Sequence, residues 1–138
     1  MAKRKKKIPG SDRPEYVPGY QWQPQRGERV CKFIETICHH ARGQWAGKPF
    51  ILLPWQREFI ETVYGWVDEH GHRRFRQAAL FVPKKNGKSS LSACLALAGL
   101  LIDGEPMAEA VSCAADRAQA SIVFREAAAI VRASPHLK

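Results

Sequence analysis

The sequence predicts an α/β fold, in which helices flank a parallel sheet that is incomplete at its C-terminal side. Two short apolar runs, at 78–82 and 110–114, have the length and composition of buried strands. Each run is followed by a polar stretch and then by a segment with apolar residues at helical spacing. This order of strand, loop, helix, strand and helix implies a parallel sheet with right-handed crossovers.

Length and composition favour one packed domain with a polyanionic partner. The chain has 138 residues, of which 45% are hydrophobic, and this excludes a globally disordered protein. The formal net charge is +9, and five of the positive charges come from the consecutive basic residues at 3–7. The remaining excess still favours nucleic acid or another polyanion as a partner.

Residues 1–24 read as a basic, flexible arm rich in proline and glycine. The breakers Pro9, Gly10, Pro14, Pro18 and Pro24 exclude a long helix there. Two interpretations of this arm stay open, a solvated tail and an electrostatic tether to nucleic acid. No apolar core of a signal peptide follows the basic run, and no segment has the length of a membrane span. We therefore expect a cytoplasmic protein without membrane contacts.

Two amphipathic helices are expected before the first apolar run. Apolar residues recur at helical spacing from Arg26 to about His40, which predicts a helix packed on the core. After a loop and a short extended piece, Pro54 can occupy the first turn of a second helix, where its missing N–H is harmless. That helix should end near Val67, before the polar turn at 68–72.

Two more helices are expected after the apolar runs. The segment 89–102 is rich in leucine and alanine and closes at Asp103 and Gly104. Asp116 can cap a final helix from about Arg117 to Ala133.

The four cysteines are expected to be small buried residues in a reducing compartment. None of them forms a CxxC pair, which argues against a disulfide framework. Cys38, His39 and His40 are adjacent, but a structural zinc site needs a second close pair of ligands, and the sequence contains none. We therefore expect no metal at this triplet.

The segment from Val82 to Ser89, VPKKNGKS, resembles a phosphate-binding loop of the pattern GxxxxGK[ST]. Gly87, Lys88 and Ser89 match the second half, whereas Val82 stands where the first glycine belongs. The loop joins a predicted buried strand to an apolar helix, which is the context that the motif requires. The alternative is a basic turn before an ordinary helix.

The residues of this loop suit a nucleoside triphosphate, most simply ATP. Backbone N–H groups at a helix N-terminus bind phosphate oxygens, and glycine allows a close approach. Lys88 would reach the β- and γ-phosphates, and the Ser89 hydroxyl would bind Mg²⁺. Pro83 cannot donate an N–H, but the neighbouring lysines add positive potential. The expected nucleotide contacts are Val82, Pro83, Lys84, Lys85, Asn86, Gly87, Lys88, Ser89 and Ser90. This predicts a P-loop NTPase-type sheet with flanking helices.

Three stretches resemble the N-terminal part of phage terminase large subunits, the ATPases that drive DNA packaging. The stretch 53–57, LPWQR, is similar to the family's adenine-recognition motif. The stretch 81–89 is similar to its deviant Walker A motif, in which a missing first glycine and an early basic residue are typical. The stretch 114–120 is similar to the segment after the second core strand. On this resemblance, residues 25–138 are the N-terminal portion of a P-loop ATPase domain.

The resemblance implies roles and partners. Gln56 would read the adenine edge through its amide, although an ordinary polar residue in a first helical turn is the alternative. Lys84 or Lys85 would contact the γ-phosphate and act with Lys88 in hydrolysis. For 116–119, a helix cap is as good an interpretation as a catalytic role. The implied ligands are ATP and Mg²⁺, and the implied partners are double-stranded DNA, a terminase small subunit, a portal protein and an oligomeric ring in the host cytoplasm.

The sequence also departs from the family pattern. A packaging ATPase needs a Walker B strand that ends in an acidic pair, and a nuclease domain with clustered carboxylates. The acidic residues after Ser89 are Asp103, Glu105, Glu109, Asp116 and Glu126, and none of them follows four apolar residues. We therefore expect the beginning of a terminase that binds ATP weakly, hydrolyses it negligibly and is marginally soluble. A helicase-like ATPase and a basic, non-catalytic nucleic-acid-binding protein are the alternatives.

Overall fold

The structure is a computed structural model that describes residue 13 and residues 16–137. Within these residues the chain forms helices and a small two-stranded sheet. In chain order the elements are β1 (Gln21–Trp22), α1 (Pro24–Ile37), a 3₁₀ turn (Gly43–Trp45), α2 (Pro54–Gly65), β2 (Trp66–Val67), α3 (Lys88–Leu101) and α4 (Arg117–Ala133).

Helices α1 and α2 pack closely against each other, as their apolar spacing predicts. A Cβ atom on Gly27 of α1 would lie 2.6 Å from the Cα of Glu61 in α2, so glycine is required where the helices approach. Ile34 and Ile60 are completely buried beside this contact. Helix α2 begins with Pro54 in its first turn, as predicted.

Helix α3 contributes much of the core because it contacts both α1 and α4. Leu91 and Cys94 are completely buried, and its alanines allow the neighbouring helices to approach. Helix α4 begins and ends where the sequence predicts, and Asp116 caps it by accepting a hydrogen bond from Gln119 N–H at 2.9 Å. Of the residues described in α4, only Ile130 is fully buried.

The loop 38–53 closes back on the end of α1. Phe50 N–H donates to the carbonyl of Cys38, and the ring of His40 stacks on that of Phe50 with 4.8 Å between centroids. Phe50 and Leu52 are buried in the core. This packing fixes the position of the segment that leads into α2.

The sheet joins the predicted arm to the body of the protein. Strands β1 and β2 are antiparallel, with Gln21 opposite Val67 and Trp22 opposite Trp66. Trp66 is completely buried, and its ring lies 5.4 Å from that of Trp22. The end of the arm is therefore docked on the helical body. The basic run at 3–7 lies outside the described residues.

The predicted strands at 78–82 and 110–114 are not paired. Both segments lack regular secondary structure and belong to no sheet in the part of the chain that the structure describes. Phe81 is 93% exposed and Val111 is 80% exposed. The observed sheet is antiparallel and lies elsewhere. An apolar run indicates a preference for burial, but a strand also needs a neighbouring backbone to bond with, and neither run has one among these residues.

Three of the four cysteines are buried, as the sequence predicts. Cys31, Cys38 and Cys94 are buried and free of disulfides, whereas Cys113 is exposed. Burial raises the pKa of the Cys31 thiol to about 11, which suits a packing role. None of the described helices combines the length and apolar character needed to cross a bilayer.

Candidate functional site

The predicted phosphate-binding loop leads directly into the N-terminus of α3. Gly87 is the N-cap residue, with φ of 69° in the left-handed region that glycine adopts without strain. Lys88, Ser89 and Ser90 are the first three residues of the helix. No side chain caps this helix end, and the N–H groups of a first turn have no acceptor within their own helix. Together with the helix dipole, these groups form a site suited to an anion.

The loop before the helix is tightly curved and exposed. Lys85 also adopts a left-handed conformation, with φ of 68°, which costs a non-glycine residue about 1–2 kcal/mol. The Asn86 side-chain amide donates to the carbonyl of Pro83 at 3.3 Å. The Lys88 ammonium lies 3.4 Å from the carbonyl of Val82 and so spans the loop. Lys84 and Lys85 lie in this loop, and Lys88 is the first residue of the helix.

Gln56 lies next to this loop, although the sequence separates them widely. Its amide nitrogen is 3.9 Å from the place where a Cβ atom on Gly87 would lie. The residue is only 3% exposed. Its Oε1 accepts a hydrogen bond from Leu53 N–H at 2.8 Å and thereby satisfies a backbone donor at the start of α2. The structure therefore brings together the two motifs that sequence reasoning associated with adenine and phosphate.

A charged network supports the segment that carries Gln56, and sequence reasoning missed it. Glu35 on α1 accepts a hydrogen bond from Leu52 N–H at 3.2 Å and another from the Arg57 guanidinium at 2.6 Å. Arg57 also lies 3.8 Å from Glu61. The hydrogen bond to Glu35 raises the pKa of Arg57. The pairing depends on how α1 packs on α2, so no local pattern in either helix indicated it.

Ser90 makes a second unexpected contact. Its hydroxyl donates to Oε1 of Glu126 on α4 at 2.9 Å. Ser90 was predicted as a nucleotide contact, and the structure shows that its side chain is already engaged by a carboxylate. Sequence reasoning considered Glu126 only as an acidic residue outside any motif.

The remaining predicted residues differ in their surroundings. Ser89 is exposed at the second position of α3. Asp116 is a helix cap, the structural interpretation left open above. Among the described residues, no group of three or more histidine, cysteine or acidic side chains could hold a metal ion. The triplet from Cys38 to His40 is included in that statement.

Comparisons with known proteins show which family the chain belongs to. The family model described as the terminase large subunit, ATPase domain, matches residues 54–138. The chain is 38% identical over 114 residues to the terminase large subunit of Enterobacteria phage HK97. That alignment covers 82% of this chain and 22% of the relative.

A solved structure extends the likeness to the fold. The crystal structure of the HK97 bacteriophage large terminase matches with a TM-score of 0.61 at 36% identity. The match covers 81% of this chain and 22% of that one, so the chain spans about a fifth of the relative's length. The chain belongs to the terminase large subunit family, and residues 54–138 belong to that family's ATPase domain.

Proposed function

We propose that the loop 82–87 and the first turn of α3 bind ATP as part of a motor that packages phage DNA. One observation carries this proposal. The uncapped N-terminus of α3, which follows the left-handed Gly87, lies beside the amide of Gln56. This arrangement supports a site in which the phosphates bind at the helix end and the base lies near Gln56.

The phosphates would bind through backbone donors and lysines. The N–H groups of Lys88, Ser89 and Ser90 would donate to the phosphate oxygens. The Lys88 ammonium, which now lies near the Val82 carbonyl, would move to the β- and γ-phosphates. Lys84 or Lys85 would contact the γ-phosphate.

The adenine would be recognised mainly by a donor. The Gln56 oxygen is committed to Leu53 N–H, so the free capacity of the side chain is its NH₂ group beside Gly87. An NH₂ group would donate to a ring nitrogen of the base. Gln56 would therefore orient the base while it caps α2.

Mg²⁺ would be held at this site mainly by the phosphates of the nucleotide and less by protein groups. Mg²⁺ usually retains several waters and binds one or two protein groups together with substrate phosphates. The Ser89 hydroxyl is suitably located at the second position of α3. When bound, Mg²⁺ would neutralise phosphate charge. None of the acidic residues after Ser89 fits a Walker B strand end, so we expect binding with negligible hydrolysis.

We further propose that the segments 78–82 and 110–114 are strands of a parallel P-loop sheet in the assembled ATPase domain. Their apolar composition and the likeness to the HK97 large terminase support this. The basic arm at 1–24 and the net charge of +9 support double-stranded DNA as a partner. We also propose as partners a small terminase subunit, a portal protein and further large subunits arranged in a ring in the host cytoplasm, because the named relative is a terminase large subunit.

The test is the affinity for ATP, measured by calorimetric titration of the 138-residue chain and of Lys88→Ala. We expect Lys88→Ala to lose at least about tenfold in affinity, since it removes a charge-assisted contact with phosphate. Lys48→Ala is the matched control, because Lys48 is an exposed lysine that lies 4.9 Å from the Trp45 ring and outside the loop. Equal binding by Lys88→Ala and the wild type would refute the proposed site. Robust phosphate release by the wild-type chain would refute the expectation of negligible hydrolysis.

A further inference from the structure

The carboxylate of Glu126 is in direct contact with the helix that begins at the phosphate site. Its Oε1 accepts the Ser90 hydroxyl hydrogen bond at 2.9 Å, across a sequence separation of 36 residues. Ser90 is the third residue of α3, so this bond ties the first turn of α3 to the middle of α4. The Glu126 side chain is 20% exposed, which strengthens the bond relative to one on the open surface.

The same carboxylate also faces the loop that follows α1. Its Oε2 lies 3.9 Å from Nε of Arg42. His40 is close enough for the charge of Glu126 to act on it. Burial lowers the pKa of His40, and Glu126 opposes that effect. Glu126 therefore lies where α3, α4 and the loop 38–53 meet.

We propose that Glu126 is a positioning residue for ATP, holding the first turn of α3 in its phosphate-binding conformation through Ser90. This inference rests on the proposed function. A first helical turn with no side-chain cap is prone to fray, and α3 has no such cap. The bond from Ser90 to Glu126 restrains that turn from the side.

The bond also gives the two donors of Ser90, its hydroxyl and its backbone N–H, different roles. The hydroxyl proton points to Glu126, so the side chain does not donate to a phosphate. The backbone N–H of Ser90, in the first turn of α3, has no acceptor within the helix and would bind the anion. A negative carboxylate beside a triphosphate site opposes anion binding, so its hydrogen bond, and not its charge, is the useful property.

This distinction separates two substitutions of the same residue. Glu126→Gln retains an oxygen acceptor for Ser90 and removes the negative charge. Glu126→Ala removes the acceptor and lets the turn loosen. A positioning role through the hydrogen bond predicts that Glu126→Gln retains ATP binding and that Glu126→Ala weakens it.

The experiment measures the Kd for ATP and the melting temperature of the 138-residue chain, with binding measured well below the melt. Glu126→Ala and Ser90→Ala should each weaken binding by about tenfold, the scale of one hydrogen bond to a charged group. The double variant should be no weaker than either single variant, because both remove the same bond. Glu28→Ala, which removes an exposed carboxylate on α1, should bind ATP as the wild type does.

Three outcomes would overturn one or both proposals. No binding by the wild-type chain would overturn the proposed function, and this inference with it. Wild-type binding together with an unchanged Kd and a lower melting temperature for Glu126→Ala would make the bond purely structural and overturn the inference alone. Equal weakening by Glu126→Gln and Glu126→Ala would also overturn it. Should Glu126→Ala not fold, Ser90→Ala and Glu126→Gln carry the comparison.

Discussion

At the scale of single residues, two polar side chains have structural partners as well as proposed ligands. Gln56 caps the start of α2 through its oxygen, while its amide nitrogen lies beside Gly87. Ser90 donates its hydroxyl to Glu126 and leaves its backbone N–H at the helix end. The motifs identified both residues from sequence. Their protein partners depend on packing between distant segments, so no local pattern indicated them.

Two substitutions of Gln56 test its two roles. Gln56→Glu retains an oxygen acceptor for Leu53 N–H but loses the NH₂ donor and adds a negative charge. We expect it to bind ATP at least about tenfold more weakly and to lower the free energy of unfolding, because the charge is placed at a buried position. Gln56→Ala should lose both properties, with a cost in unfolding free energy of about 1–2 kcal/mol.

Urea unfolding and nucleotide titration of both variants provide the measurements. Gln56→Glu binding ATP as well as the wild type would show that the side chain only caps α2. Unchanged stability of Gln56→Ala would instead remove the capping role.

At the scale of elements, the sequence predicted helices well and strands poorly. The helix Arg117–Ala133 has the expected bounds, because its cap and its apolar spacing are local properties of the chain. The runs at 78–82 and 110–114 form no strand among the described residues, because pairing depends on a neighbour that an apolar run does not specify. For the same reason the sheet that does form, between residues 21–22 and 66–67, was not predicted.

The cap of α4 offers a test at this scale. Asp116→Ala removes the acceptor of the Gln119 N–H bond and should lower the free energy of unfolding by about 0.5–2 kcal/mol. Asp116→Asn is the matched control, since asparagine is an equally good cap. Urea unfolding monitored by circular dichroism gives both values. A loss for Asp116→Asn as large as that for Asp116→Ala would mean that Asp116 acts through its charge.

At the scale of the whole molecule, the two unpaired segments leave apolar surface open. A groove of about 830 Å³ lies between α3, α4 and the segment 110–113, and Phe124 in its wall is 70% exposed. Phe81 and Val111 are more exposed still. Exposed apolar side chains promote association, which is the physical basis for the expected marginal solubility.

Self-association should therefore depend on those segments. Phe81→Ser combined with Val111→Thr should shift the chain toward monomer at concentrations where the wild type associates. Ile51→Ser is the control, because Ile51 is also 67% exposed but lies in the loop before α2. Sedimentation velocity over a concentration series measures the effect. A wild-type chain that stays monomeric and melts sharply would contradict the expectation.

The proposal that one nucleotide contacts both the N-terminus of α3 and Gln56 is tested most directly by NMR titration of the ¹⁵N-labelled chain with ATP and Mg²⁺. We expect the largest shifts at the amides of Gly87, Lys88, Ser89 and Ser90, together with the side-chain NH₂ signals of Gln56. Inorganic triphosphate should reproduce the backbone shifts and leave the Gln56 signals unchanged, because it lacks the base. Shifts confined to other basic surfaces, such as the arginines at 73–76, would contradict the proposed site.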